Sequence, residues 1–392
     1  MRGNHGFAPF KFQTAGSIVA GHDAIAELAP RLKQYGDFKH AVIVTQPSLK
    51  AMGVIDRLEA DLSQAGISSR CITDVKPEPT VDNIQKVFGD IAAEPVDLFI
   101  GIGGGSVLDA TKLFSVLLTD PVDVRSLIGT DLVSKPGIPT VLVPTTSGTG
   151  SEVTPNAIVT IPEQELKVGV VSRHLLPMMV IIDPALTVSL PQHITAATGM
   201  DAFTHALESY ISTKANPISD MFALESIRLI SGSLLQAYHH GSDLKAREHM
   251  LLGSMYGGMA LSSAGTAAVH ALAYPLGGKF NITHGVANSM LLPHVMAFNM
   301  DAIQTRLGHV ARAMGLQDGV ASGNDISEAV NRRIFEWTAE MRIPQNLRAF
   351  GVTDADVDDL AVAASKVTRL LNNNPKSMNL AEIRAVYRKL LP

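Results

Sequence analysis

Cysteine is nearly absent: Cys71 is the only one in 392 residues. A lone thiol cannot close an internal disulfide, and its setting in SSRCITDV reads as a buried strand position with a reduced thiol. That argues against a disulfide-built secreted domain and for a cytoplasmic chain. A basic excess is missing too. The 32 Lys and Arg are outnumbered by 37 Asp and Glu, for a formal net charge of -5, so there is no electrostatic footprint for nucleic acid. No run approaches the roughly 18 to 20 apolar residues of a membrane span, and the opening MRGNHGFAPF lacks an apolar signal core. Neither nucleic acid nor a membrane is an expected partner.

The composition is that of a globular protein, 46% hydrophobic and 18% charged, in a chain longer than the roughly 250 to 300 residues at which one core stops growing. Two domains are expected, divided as 1–186 and 187–392. In the first, β-branched runs alternate with helical patterns: AVIVT (41–45), RCITDV (70–75) and DLFIGI (97–102) each precede an amphipathic stretch. Such alternation means a parallel sheet with helices on its faces. TVLVP (140–144) is followed by AIVTI and LKVGVV, which read as a hairpin around PEQE, and MVIIDP gives one more strand. From Pro191 onward the pattern is helical throughout. The fold class is an α/β nucleotide-binding domain plus an all-α domain, with the boundary in DPALTVSLPQ, where two prolines flank an irregular stretch.

GIGGGSVLDATKL (101–113) follows a strand and opens a helix. Its glycines let a backbone approach a ligand closely, and free N–H groups at a helix start favour a phosphate. It departs from the dinucleotide fingerprint, because Ser106 stands at the third glycine position. A second loop, PTTSGTGSEVT (144–154), follows another strand, and ligands of open α/β sheets collect at carboxyl ends of strands. Without a ligand, the first loop is a tight turn and the second a hydroxyl-rich surface loop. Gln46 ends the AVIVT strand where NAD sites often carry an acidic residue, so NAD and NADP both remain open, and Lys50 nearby tilts slightly towards NADP.

Asp201 and His205 are four residues apart in GMDAFTHALESY, so on a helix they share a face. That suits two metal ligands and equally an ordinary surface pair. His270 lies among small apolar residues, where a histidine bonded to a carbonyl is the common case, and His284 sits at a probable helix start. Together the four offer one oxygen and three nitrogen donors, a set suited to Fe2+ or Zn2+. His174, His193, His239, His240, His249, His294 and His309 read as structural or solvated. Met200, Phe203, Met255 and Met259 read as pocket wall or as core.

Taken in order, AGSIVAGHDAIAEL, VIVTQ, VKPEPT, GGGSVLDATK, VPTTSGTGSEVT, ATGMDAFTHALE, VHALAYPLGG and THGVANSMLLPHV resemble the iron-containing (group III) alcohol dehydrogenase family over nearly the whole chain. The resemblance implies a dehydroquinate synthase-like architecture, an active site in the interdomain cleft and a homodimer or larger homo-oligomer. It implies Asp201, His205, His270 and His284 as metal ligands. Gly104, Gly105, Ser106 and Asp109 match the pyrophosphate-binding segment, Thr145, Thr146 and Thr149 the second cofactor loop, and Lys167 a lysine that reaches the cofactor.

Three positions depart from the pattern. Gln46 replaces the acidic residue of NAD-preferring members, Glu78 an asparagine frequent in its motif, and Tyr274 a further active-site histidine. At position 274 the chain is similar to the hydroxyacid-oxoacid transhydrogenase branch, which leans the expectation towards a hydroxyacid or acidic aldehyde. The implied function is metal-dependent hydride transfer between NAD or NADP and a small alcohol or aldehyde, with the Tyr274 phenol at the substrate or in a proton path, or filling core volume. The alternatives are a metal- and NAD-dependent lyase or cyclase of the dehydroquinate synthase type and a cofactor-binding protein without turnover.

Overall fold

The computed structural model describes residues 9–164, 166–316 and 323–392. The first eight residues, part of the stretch read above for a signal core, and Glu165 of the PEQE turn lie outside the described residues. The strands among them are β1 (Ile18–Ala20), β2 (His40–Val44), β3 (Ser68–Ile72), β4 (Leu98–Gly103), β5 (Gly129–Thr130), β6 (Thr140–Pro144), β7 (Asn156–Ile161), β8 (Leu166–Val171) and β9 (Met179–Ile182). Six form one parallel sheet in the order β1-β9-β6-β4-β2-β3. β5, β8 and β7 form a second sheet in which β7 and β8 make the expected antiparallel hairpin.

Alternation along the strands explains the layers. Ala41 and Ile43 join a core with Leu58 and Leu62 of the helix Val54–Gln64, whereas Val42 and Val44 pack on the opposite face with Ile84 and Phe88 of the helix Val81–Ile91. That last helix starts cleanly because the Thr80 side chain accepts from Asn83 N. β2 leads outward to β3, while β4 leads across to β6, so chain direction in the sheet diverges between β2 and β4. A crevice opens at the carboxyl ends of such a pair, and Gln46 and Gly104 stand there.

From Gln192 onward the regular structure of the described residues is helical, with long helices at Gln192–Ile211, Pro217–His239, Leu244–Ala264, Ala268–Phe280, His284–Ala313 and Gly323–Glu340. The helix Gln192–Ile211 is buried on nearly every side, so it lies at the centre of its bundle. Met200 and Phe203 belong to that core, with Phe203 edge-on to Trp337 at 5.1 Å, and Met255 and Met259 pack with Val153 and Ile182. All four are core residues.

Some readings change. Cys71 is half-buried because β3 is the edge strand of its sheet, and β3 begins at Ser68 rather than at Arg70. The helix Ala268–Phe280 runs through Pro275, with buried neighbours from Ala268 to Gly277 compensating for one missing N–H. Among the described residues, no helix is long and apolar enough to cross a membrane.

Candidate metal centre and cofactor loops

The helix Gln192–Ile211 places Asp201 and His205 one turn apart, and both are buried. His270, from the helix Ala268–Phe280, and His284, first residue of the next long helix, point at the same spot. One donor atom from each of the four lies within 4.8 Å of all the others. Asp201 Oδ1 is 3.9 Å from Nε2 of His205 and of His270, and 3.8 Å from Nε2 of His284. The His205 and His270 rings stack at 4.7 Å.

Neighbours fix which ring nitrogen faces inward. His270 Nδ1 donates to Glu208 Oε2 at 2.6 Å, and Glu208 also accepts from Ala267 N and Val269 N, so its carboxylate is fully engaged. His205 Nδ1 donates to the Gly148 carbonyl oxygen at 3.1 Å. With those protons outward, the Nε2 atoms turned towards Asp201 carry bare lone pairs. Asn288 Nδ2 lies 2.7 Å from Asp201 Oδ1, 3.1 Å from His270 Nε2 and 3.2 Å from His284 Nε2, and its buried Oδ1 has no partner among the described residues. One amide has two N–H groups, too few for these converging acceptors. A divalent cation fits the set by charge and donor type.

The electrostatics agree. Burial opposes ionisation of Asp201, but attraction to His205, His284 and His270 in their protonated forms and the hydrogen bond from the Asn288 amide hold the carboxyl below its usual range. Burial pushes His205 down, and pushes His284 down to about 3, so both imidazoles are neutral donors at neutral pH. Burial raises the Tyr274 phenol, which therefore keeps its proton. Its ring lies 6.0 Å from that of His284, one turn beyond His270, with the Arg369 guanidinium beside the hydroxyl.

The two loops after β4 and β6 meet. A methyl group at Gly105 would lie 2.6 Å from Thr149 Cγ2, closer than side chains pack, and one at Gly104 would lie 3.3 Å from Thr146 Cγ2, a tight contact, so the glycines let the loops come this close. Thr145 N donates to the Gly103 carbonyl at 3.0 Å. Gln46 sits one strand away, its amide donating to Ser48 Oγ. Asp109 faces the second loop: one oxygen accepts from Ser151 Oγ and the other from Ile158 N at 2.9 Å. Both are thus committed to holding the loops together. Buried Lys112 adds bonds to the Thr154 and Asn156 carbonyls. Glu152, 1% exposed, lies beside this lysine with Oε1 unpartnered among the described residues.

The second loop also touches the helical half. Gly150, at φ +59°, approaches the helix Leu244–Ala264 so closely that a methyl on it would lie 2.6 Å from Gly258 Cα. Lys167 of β8 reaches from the other side: its Cε lies 3.1 Å from where a methyl on Gly277 would be, and its charge is felt by His284. The two loops and the four-donor cluster therefore adjoin, with Gly148 of the second loop bonded directly to His205.

Sequence reasoning brought together the four inward donors and both loops. It missed Glu208, Asn288, Arg369 and the Gly148 carbonyl. Asn288 lies four residues after His284, a helical spacing that places it near that ring, whereas Glu208 bonds His270 across from a separate helix, a pairing that local spacing does not reveal. Gly148 acts through its backbone and leaves no side-chain signal.

Residues 15–184 match the family model described as iron-containing alcohol dehydrogenase, and residues 195–391 match that of the C-terminal part of the Fe-containing alcohol dehydrogenase family. The long-chain-alcohol dehydrogenase 1 of Geobacillus thermodenitrificans is 40% identical over 94% of this chain and 93% of its own. A crystal structure of a 1,3-propanediol oxidoreductase superposes with a TM-score of 0.93 at 36% identity, covering 98% of this chain and all of that one. A sulfoacetaldehyde reductase from Bifidobacterium kashiwanohense, solved in complex with NAD+, gives a TM-score of 0.86 at 26% identity, covering 98% and 99%. The chain belongs to the iron-containing alcohol dehydrogenase family.

Proposed function

We propose that Asp201, His205, His270 and His284 hold one divalent iron and that Gln46, Gly104, Gly105, Ser106, Thr145, Thr146, Thr149 and Lys167 line the site of NAD(H). The reaction is hydride transfer between the nicotinamide and a small alcohol or aldehyde. The observation that carries this reading is the convergence of one carboxylate oxygen and three imidazole nitrogens within 4.8 Å, beside two nucleotide-type loops. When bound, the two groups supply an electrophile that stabilises negative charge on the substrate oxygen and a carrier for the hydride.

The chain's own residues do the rest. Glu208 and the Gly148 carbonyl keep the proton on Nδ1 of His270 and His205, leaving each Nε2 as a donor. Burial of Asp201, His205 and His270 excludes water and strengthens each electrostatic contact. Asp109 and Lys112 brace the second cofactor loop. Tyr274 holds its phenolic proton and donates a hydrogen bond to the substrate oxygen or to a water in the proton path.

The NAD+ bound to the sulfoacetaldehyde reductase supports NAD(H) over NADP(H). Arg369 beside Tyr274 puts a cation at this end of the cleft, which favours hydroxyacids and acidic aldehydes as a second substrate group. A division at 186/187, a homodimer or larger homo-oligomer and a cytoplasmic place complete the reading; sedimentation of the purified chain tests the assembly. The test of function is absorbance at 340 nm with a panel of neutral, carboxylated and sulfonated alcohols and aldehydes, after reconstitution with Fe2+ or Zn2+. Turnover that persists after chelation, or no net change in reduced cofactor with any substrate, would refute it.

A further inference from the structure

Glu78 lies between β3 and the helix Val81–Ile91 with φ +49°, a left-handed conformation that non-glycine residues seldom adopt. Two contacts hold it. Its backbone N–H donates to Ser106 Oγ at 2.9 Å, and its Oε1 accepts from Lys167 Nζ at 2.7 Å. The segment is pinned further where Thr160 N donates to the Pro79 carbonyl at 3.0 Å, and Thr160 is the β7 partner of Lys167 on β8. One residue thus bridges the glycine loop, through its backbone N–H, and, through its carboxylate, a buried lysine whose other side faces His284 and Gly277.

This pair stands between the glycine loop and the four-donor cluster. A dinucleotide with its pyrophosphate on the loop and its ring at the cluster must pass along it. Oxidised nicotinamide carries a formal positive charge that the reduced ring lacks, so the two forms respond differently to charge beside the ring. We propose that Glu78 balances Lys167 along this path and so sets the relative affinity of the chain for the oxidised and reduced cofactor. The inference rests on the cofactor reading above.

With Glu78 neutralised, Lys167 is left as an unbalanced cation that disfavours the oxidised ring. A unit charge at ~8 Å in a partly solvated site changes such a ratio about tenfold. The experiment is titration of the full chain and its variants with NAD+ and NADH by calorimetry. Glu78→Gln should raise the ratio of the NAD+ to the NADH dissociation constant about tenfold, and Glu78→Asp should preserve it. Lys167→Met should lower it, and the double variant should return near the starting value. Equal loss for both forms in Glu78→Gln means a merely structural role and overturns the proposal. If Glu78→Gln fails to fold, Lys167→Met decides, an unmoved ratio again overturning it. Failure of the unmodified chain to bind either nucleotide would instead sink the cofactor reading.

Discussion

His270 Nδ1 and Glu208 Oε2 are 2.6 Å apart, both buried, with Glu208 also tied to two backbone N–H groups of the turn that carries His270. The carboxylate therefore orients both the ring and the chain entering its helix. Glu208→Gln loses the charge and sets an amide N–H against donors already in place. The expected result is metal affinity weaker by about 10- to 100-fold. Competition with a chelator of known affinity measures it; an unchanged constant would show that His270 needs no such support.

Tyr274→Phe removes one hydroxyl from a buried position beside His284 and Arg369. A hydrogen bond made to the substrate or to a proton-path water is worth about 1 kcal/mol or slightly more, so turnover should drop roughly tenfold. Metal content should stay the same. Identical kinetics would leave the phenol as filler of core volume.

Glu152 is raised to about 7, chiefly by burial, with its own backbone N–H and Lys112 opposing only in part. The folded chain holds this proton more tightly than the unfolded chain does. Stability is thus lost as pH rises from the ordinary carboxylate range to about 7 and is level beyond it, a loss on the order of 3 kcal/mol. Glu152→Gln should melt at a higher temperature than the parent at pH 8 and at a similar one near pH 5. A difference of the same size at both pH values would contradict this origin.

Much of this was legible in the sequence because period and spacing carry it. β4 is an unbroken apolar run ending in glycines, and Asp201 and His205 share a helical face whether or not they bind anything. What stayed hidden was short or set by tertiary contact. β1 is three residues long and β5 two, too brief for any alternation to show. The exposure of Cys71 depends on β3 being an edge, which follows from pairing rather than from its own residues. Pro275 signals a helix end locally, yet its neighbours' burial carries the helix past it. Asp109 looked like part of a phosphate loop because of where it falls in the motif, and only the fold shows its carboxylate turned to Ser151 and Ile158.

The contact between Gly150 and Gly258 is backbone against backbone, with no side chain between. Beside it, Val153 and Ile182 of the α/β half interlock with Met255 and Met259 of the helix that carries Gly258, so the halves are welded by side chains as well as by backbone. Because the same loop carries the Gly148 carbonyl that accepts from His205 Nδ1, any shift at this weld is passed straight to the four-donor cluster.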